Sequence, residues 1–159
     1  MADLTNLGKK AEGKIKEWLN KPEEGFCFDR IPDQLTGFYG STNICDFTLF
    51  KSPNYYYIES KATFNDRWDF NMLTPYQHDK MLEKSEIAGV TSYVVVLFAT
   101  YKRAFLFNIK DIYELEQQGI KSVNIKKIDK WTLPYIEVKT VPSRKELLDY
   151  DFSQAVEIF

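Results

Sequence analysis

The chain has 159 residues, with 21 Lys and Arg against 23 Asp and Glu, so its net charge of −2 excludes a uniformly cationic coat for nucleic acid. This length predicts a single domain over residues 1–159. The two cysteines, Cys27 and Cys45, lack the spacing of a zinc site or a disulfide framework. No signal-like or membrane-spanning apolar stretch is found, so we expect a cytoplasmic protein with no membrane contact.

The first half of the chain predicts a helix followed by three strands. Apolar residues recur every three or four positions over residues 5–20, which is typical of an amphipathic helix. Residues 26–31 form a short strand candidate, and residues 44–50 and 55–62 form two more, which Ser52-Pro53-Asn54 joins as a hairpin turn. A polar loop is expected over residues 64–71.

The second half begins with a helix capped by Thr74, which we expect to run to residue 88. Residues 93–99 predict a strand buried on both faces, with a further strand over residues 103–109 beside it. A short helix over residues 111–118, a weak strand over residues 133–138 and a C-terminal helix from residue 143 follow. This order predicts an α/β fold with a mixed central sheet and flanking helices.

Two carboxylates and a lysine occupy neighbouring positions in the predicted hairpin. Glu59 and Lys61 share a strand face, and a turn centred between Ser52 and Pro53 places Asp46 opposite Glu59. Carboxylates so close repel each other unless a cation lies between them. Mg²⁺ suits this position, because it is held by one or two carboxylates together with a substrate phosphate. The arrangement therefore indicates hydrolysis of a phosphodiester bond, with Lys61 orienting the nucleophile or stabilising the transition state.

Solvent-exposed positions on half-buried strands are the alternative explanation, since a surface Glu–Lys pair contributes little to stability. The apolar surroundings argue against it: Asp46 lies within Ile-Cys-Asp-Phe-Thr-Leu-Phe, and Glu59 follows Tyr-Tyr-Tyr-Ile. Strand alternation also places Cys45 on the opposite face from Asp46, as a small core residue.

The pattern of Asp46, twelve further residues and Glu59-Ser60-Lys61 resembles the active-site signature of the PD-(D/E)xK nuclease superfamily. The wider stretch GSTNICDFTLFKSPNYYYIESKAT, followed by TPYQHDKM and AGVTSYVVVLF, is similar to the RecU-type Holliday junction resolvases. Weaker matches continue through GIKSVNI and LPYIEV, so the similarity covers most of the chain from Gly8 onward. The resemblance implies a restriction-endonuclease-like core and a single nuclease domain.

The same resemblance implies a homodimeric endonuclease that resolves four-way DNA junctions by paired cuts and requires Mg²⁺, for which Mn²⁺ can substitute. By the match to the family's motif, Asp46 and Glu59 are metal ligands and Lys61 is the catalytic lysine. A resolvase of this type would work in the cytoplasm of a bacterial host cell, whether a cellular or a phage gene encodes it.

Two further residues match the family's site but also have ordinary explanations. Glu12 matches a helical glutamate that would reach the metal or its waters, whereas its place at the border of the apolar stripe also suits a solvated edge. Gln77 matches the glutamine of the family's His-Gln pair, although Tyr76 replaces the histidine. Thr74 and Gln77 also fit a capping box, and the two roles of Gln77 do not exclude each other.

Contact with DNA phosphates requires cationic side chains on one side of the molecule. We expect these contacts from the first helix and from the loop after Lys61, through Lys9, Lys10, Lys14, Arg67 and Trp68. Solvated surface charge is the alternative, and we prefer it for Lys126, Lys127 and Lys130.

Two departures from the family leave the substrate open. The interval FDRIPDQLTGFYGSTNI, where the family has a DNA-contacting stalk, is short, and a basic N-terminal arm is absent. A nuclease acting on flaps, forks or plain duplex DNA is therefore the first alternative. A non-catalytic DNA-binding module is the second, although the complete set of acidic residues and lysine argues against it.

Overall fold

The computed structural model describes residues 4–20, 26–32, 42–131, 134–141 and 149–151. The helices in this part of the chain are α1 (Leu4–Leu19), α2 (Pro75–Lys84) and α3 (Ile109–Gln117). The strands are β1 (Phe26–Arg30), β2 (Phe47–Lys51), β3 (Asn54–Thr63), β4 (Arg67–Asp69), β5 (Val90–Phe98), β6 (Arg103–Asn108), β7 (Ser122–Asn124), β8 (Ile136–Val141) and β9 (Asp149–Asp151). None of the described helices is long and apolar enough to cross a membrane.

The main sheet has seven strands in the order β1-β2-β3-β5-β6-β8-β9. Strands β3 and β5 are parallel, whereas the other neighbouring strands of this sheet are antiparallel. The connection between β3 and β5 passes through β4 and α2 and therefore forms the crossover that a parallel pair requires. The predicted α/β class, a mixed sheet with flanking helices, is confirmed.

Apolar residues cover both faces of this sheet. On one face, the stripe of α1 packs against β2 and β3 through Leu7, Ala11, Ile15 and Leu19. On the other face lie α2, α3 and the small sheet formed by β4 and β7. Val94 and Val96, the neighbours of Glu59 and Lys61 across the parallel pair, belong to this second cluster. Glu59 and Lys61 therefore lie on the face that α2 covers.

Several predicted elements differ in extent from the structure. The strand expected over residues 44–50 begins only at Phe47, because the chain bends before it joins the ladder. The helix expected to reach residue 88 ends at Lys84, and Gly89 has a positive φ of 82° in the turn before β5. The prediction of a C-terminal helix from residue 143 is wrong for residues 149–151, which form β9 and pair with β8. Residues 142–148 and 152–159 lie outside the described part.

Trp68 corrects the expectation that the loop after Lys61 contacts DNA through an aromatic ring. Residues 67–69 form β4 instead of a loop, and they pair with β7 so that Arg67 and Asp69 face solvent while Trp68 faces inward. Trp68 is fully buried and stacks on Phe107 at a centroid distance of 5.7 Å. Its indole therefore fills the core and is inaccessible to a base.

We expect Trp68→Ala to lower the free energy of unfolding by about 3–5 kcal/mol, because it leaves a large cavity in the second cluster. Trp68→Phe should cost much less, since the indole Nε1 has no hydrogen-bond partner among the described residues. Urea unfolding measures both changes. Weakened DNA binding by Trp68→Phe at a temperature where it is fully folded would contradict the buried role.

Candidate active site

The β2–β3 hairpin places Asp46 beside the middle of β3. The ladder has the predicted register and ends with Phe47 opposite Ile58, so Asp46 lies at the bend directly before it. The Asp46 Oδ2 atom accepts a hydrogen bond of 2.8 Å from the main-chain N–H of Ser60. Its own carbonyl accepts one of 2.8 Å from the N–H of Ile31. The Ser60 N–H thus holds the Asp46 side chain beside β3, and the Ile31 N–H holds the Asp46 backbone.

Glu59 is the most deeply buried carboxylate of the site, with 2% of its surface exposed. Its Oε1 atom accepts hydrogen bonds from Lys61 Nζ at 2.6 Å and from Gln77 Nε2 at 2.9 Å. Its Oε2 atom is buried and has no hydrogen-bond partner among the described residues. A buried carboxylate oxygen without a partner is costly unless a cation or water meets it.

Gln77 forms the predicted capping box and also contacts Glu59. Thr74 Oγ1 accepts a hydrogen bond from Gln77 N, and Gln77 Oε1 accepts one from Thr74 N, each at 3.2 Å, so the capping box is complete. The same side chain donates its amide to Glu59. The start of α2 is therefore connected directly to the site.

Glu12 approaches the site from α1. Its Oε2 atom accepts a hydrogen bond of 2.9 Å from Arg30 Nη2, and both side chains are partly buried. Burial is the main cause of the raised pKa of Asp46 and of Glu59, and the charge of Glu12 adds to both shifts. Arg30 is a site neighbour that the sequence analysis did not identify. Its position opposite Phe47, beside Asp46, becomes visible only once the pairing of β1 with β2 is known.

Burial and mutual repulsion keep the acidic residues from ionising readily. Burial, and then the charge of Glu59, raise the pKa of Asp46 from 3.8 to about 7. Burial also raises the pKa of Glu59, although the Lys61 ammonium and the Gln77 amide oppose this effect. Burial, with the nearby carboxylates adding to it, raises the pKa of the Cys45 thiol to about 12. Cys45 is buried in the second cluster, which confirms the predicted small core residue, although it lies on the Glu59 face of the sheet and not on the opposite one.

The donor set fits a hard divalent cation. Carboxylate oxygens are the ligands that Mg²⁺ and Mn²⁺ prefer, and the unpaired Oε2 of Glu59 lies in a pair of carboxylates with raised pKa values. Within the described ranges, no three His, Cys, Asp or Glu side chains form a metal cage. Asp46 and Glu59 thus fit the kind of Mg²⁺ site in which water and substrate phosphate supply the remaining ligands.

The expected DNA-contacting cations lie outside this cluster. Lys9 and Lys10 are exposed on α1, and Lys14 forms an ion pair of 3.1 Å with Glu17. Arg67 is exposed on β4. Of the three lysines interpreted as solvated charge, Lys126 pairs with Asp66 at 2.5 Å, and Lys127 and Lys130 are exposed. Most of the shortened stalk interval, residues 33–41, lies outside the described part.

The raised pKa of Asp46 predicts that the metal-free protein loses stability as the pH rises from about 4 to about 7. In this window the folded state retains a proton that the unfolded chain has released, so the free energy of unfolding falls with pH. Between pH 5 and pH 8, Asp46→Asn should reduce this loss by roughly 2–3 kcal/mol. Urea unfolding at pH 5 and pH 8 with a chelator tests this, and the exposed Asp129→Asn is the control. An identical pH dependence in wild type and Asp46→Asn would contradict it.

Two comparisons with known proteins give a match to this chain. The sequence model of the family described as Recombination protein U (RecU) matches residues 32–150. Among solved structures, the chain is similar to Hjc, a Holliday junction resolvase from the archaeal hyperthermophile Archaeoglobus fulgidus, with a TM-score of 0.47 and 17% identity over 76% of this chain and 98% of that chain. Comparison with curated protein sequences found no match. Because the family match covers well over half of its length, the chain belongs to the RecU family.

Proposed function

We propose that this chain, a Holliday junction resolving nuclease of the RecU family, cuts DNA by Mg²⁺-dependent hydrolysis with Asp46 and Glu59 as the metal ligands. The observation that carries the proposal is the pairing of the buried Glu59 with the half-buried Asp46, with Lys61 alongside them. Mn²⁺ has the same preference for carboxylate oxygens and is expected to substitute.

A bound Mg²⁺ would polarise the scissile phosphate and lower the pKa of its water. The protein residues supply the positions of the reacting groups. Lys61 Nζ is held at 2.6 Å from Glu59 Oε1, so its ammonium lies beside the proposed metal ligand. From there it can orient the attacking water or stabilise the negative charge that develops on the phosphate. Gln77 donates to the same oxygen and keeps the Glu59 carboxylate in place.

Glu12 is proposed to act on water next to the ligands. Its carboxylate is close enough to raise the pKa of Asp46 and Glu59, while Arg30 compensates its charge. A carboxylate beside the ligands can accept a proton from water without being a metal ligand itself.

The substrate is branched DNA, and we propose that two copies of the chain act on it. Symmetric cuts on opposite strands of a four-way junction require two sites related by a two-fold axis, which a homodimer provides. Lys9, Lys10, Lys14 and Arg67 are the proposed contacts to DNA phosphates. The net charge of −2 makes this contact depend on local groups rather than on the field of the whole protein.

Cleavage of a synthetic four-way junction in Mg²⁺ tests the assignment. Asp46→Asn and Lys61→Ala should each lower kcat by at least about a hundredfold, because each removes a group that acts on the transition state. The exposed variants Asp129→Asn and Lys130→Ala are matched controls and should cut at the wild-type rate. Undiminished cutting by Asp46→Asn or Lys61→Ala would overturn the proposed site.

Two further measurements separate the alternatives. Competition between a junction and linear duplex DNA distinguishes a resolvase from a nuclease of broader substrate range, which the short stalk interval favours. Titration calorimetry with Mn²⁺ distinguishes a nuclease from a DNA-binding module, because the module would give no heat that depends on Asp46.

Arg67→Gln should reduce the slope of log affinity against log salt by about one, as expected for the loss of one phosphate contact. Arg103→Gln is the matched control, because it removes the same charge from a side chain that two hydrogen bonds of 2.7 and 2.9 Å hold on Glu137. Fluorescence anisotropy with a labelled junction at several salt concentrations measures both slopes. An equal change in the two variants would contradict a contact at Arg67.

A further inference from the structure

We infer that the main-chain N–H of Thr74 positions Glu59 by fixing the orientation of the Gln77 amide, so that Thr74 is a positioning residue of the site. The inference rests on the proposed function only where it treats Glu59 as a metal ligand. The structural part concerns three groups joined in series, and each of the two links is a hydrogen bond between described residues.

The two ends of the Gln77 amide face opposite kinds of partner. Its Oε1 atom accepts from the Thr74 N–H at 3.2 Å, and its Nε2 atom donates to Glu59 Oε1 at 2.9 Å. Rotating the amide by half a turn would bring two acceptors together at Glu59 and two donors together at Thr74. Both contacts therefore select the same orientation. The hydrogen-bond partners, and not the shape of the amide, identify its oxygen and its nitrogen.

The Thr74 N–H matters because it restrains the carbonyl end of the amide, which Glu59 does not contact. Part of the Gln77 side chain is exposed, so water could satisfy either end of a rotated amide. The N–H at the start of α2 is a donor that cannot turn away, since its direction is set by the backbone. It keeps the carbonyl end of the amide occupied and leaves the NH₂ end to the carboxylate.

The orientation of the Gln77 amide determines how the two oxygens of Glu59 are used. With Gln77 and Lys61 both donating to Oε1, the carboxylate is held in one rotation and Oε2 remains the oxygen without a partner. A carboxylate that can rotate offers a metal a less defined ligand, and loss of such outer contacts typically weakens metal binding about tenfold to a hundredfold. The capping box therefore has a function beyond stabilising the start of α2.

A pair of substitutions at Thr74 separates the N–H from the hydroxyl. Thr74 has φ of −67° and ψ of 151°, which proline adopts without strain, also when another proline follows. Thr74→Pro removes both the N–H and the hydroxyl, whereas Thr74→Ala removes the hydroxyl alone. Asn108→Ala is the control for the loss of a helix cap away from the site. The Asn108 Oδ1 atom caps α3 by accepting a hydrogen bond of 3.0 Å from Lys110 N.

The first measurement is NMR of the metal-free protein. In wild type and Thr74→Ala, we expect one proton of the Gln77 NH₂ group to be shifted and slowed in exchange by its bond to Glu59, and Thr74→Pro should lose this signature. Exchange of the Thr74 N–H should be faster in Gln77→Ala than in wild type. A Thr74 N–H that exchanges as fast in wild type as in Gln77→Ala would overturn the inference, even if no Thr74→Pro protein could be folded.

The second measurement is calorimetric titration with Mn²⁺. Thr74→Pro should weaken binding by about tenfold, and junction cleavage should recover when Mn²⁺ is raised by a similar factor. Asn108→Ala should lower Tm without changing the Mn²⁺ affinity. Wild-type Mn²⁺ affinity in Thr74→Pro would overturn the inference and leave the nuclease assignment intact. Intact NMR signatures with no Mn²⁺ binding in any variant would instead overturn the assignment of Glu59 as a ligand.

Discussion

Two carboxylates held together at low exposure are the constraint on which the rest of this structure depends. Asp46 and Glu59 repel each other and lose hydration on folding, as their raised pKa values record. The fold compensates with hydrogen-bond donors: the N–H of Ser60 on Asp46, and the Lys61 ammonium and Gln77 amide on Glu59. The compensation is incomplete, because one Glu59 oxygen has no partner within the described chain. The Mg²⁺ that we propose for this site would reduce the repulsion and give the unpaired oxygen a partner.

The architecture supplies these groups from separate layers. The hairpin brings Asp46 to β3, α2 covers the face on which Glu59 and Lys61 lie, and α1 brings Glu12 from the opposite layer. The long apolar pairing of β3 with β5 keeps this part of β3 in the middle of the sheet. The packing of two hydrophobic clusters, one on each face of the sheet, therefore offsets the electrostatic repulsion at the site.

Local patterns in the sequence were sufficient for the hairpin register, the capping box and the approach of Glu59 to Lys61, because each depends on residues close together in the chain. Trp68 and Cys45 were misplaced for a different reason. Trp68 becomes a core residue because β4 pairs with β7, more than fifty positions away, and nothing near residue 68 records that pairing. Cys45 departs from strand alternation because the chain bends before Phe47. The contact of Arg30 with Glu12 likewise depends on how β1 and α1 pack.

The crossover between β3 and β5 has a consequence for when the site can exist. Asp46, Glu59 and Lys61 come from one hairpin, which can form early from local contacts, but Gln77 arrives on the helix that closes the parallel pair. Closing that loop costs chain entropy and is repaid only when the apolar run of β5 joins the sheet. A nascent or partly denatured chain consequently lacks the last member of the cluster. The proposed site is therefore complete only once the parallel pair of β3 and β5 has closed.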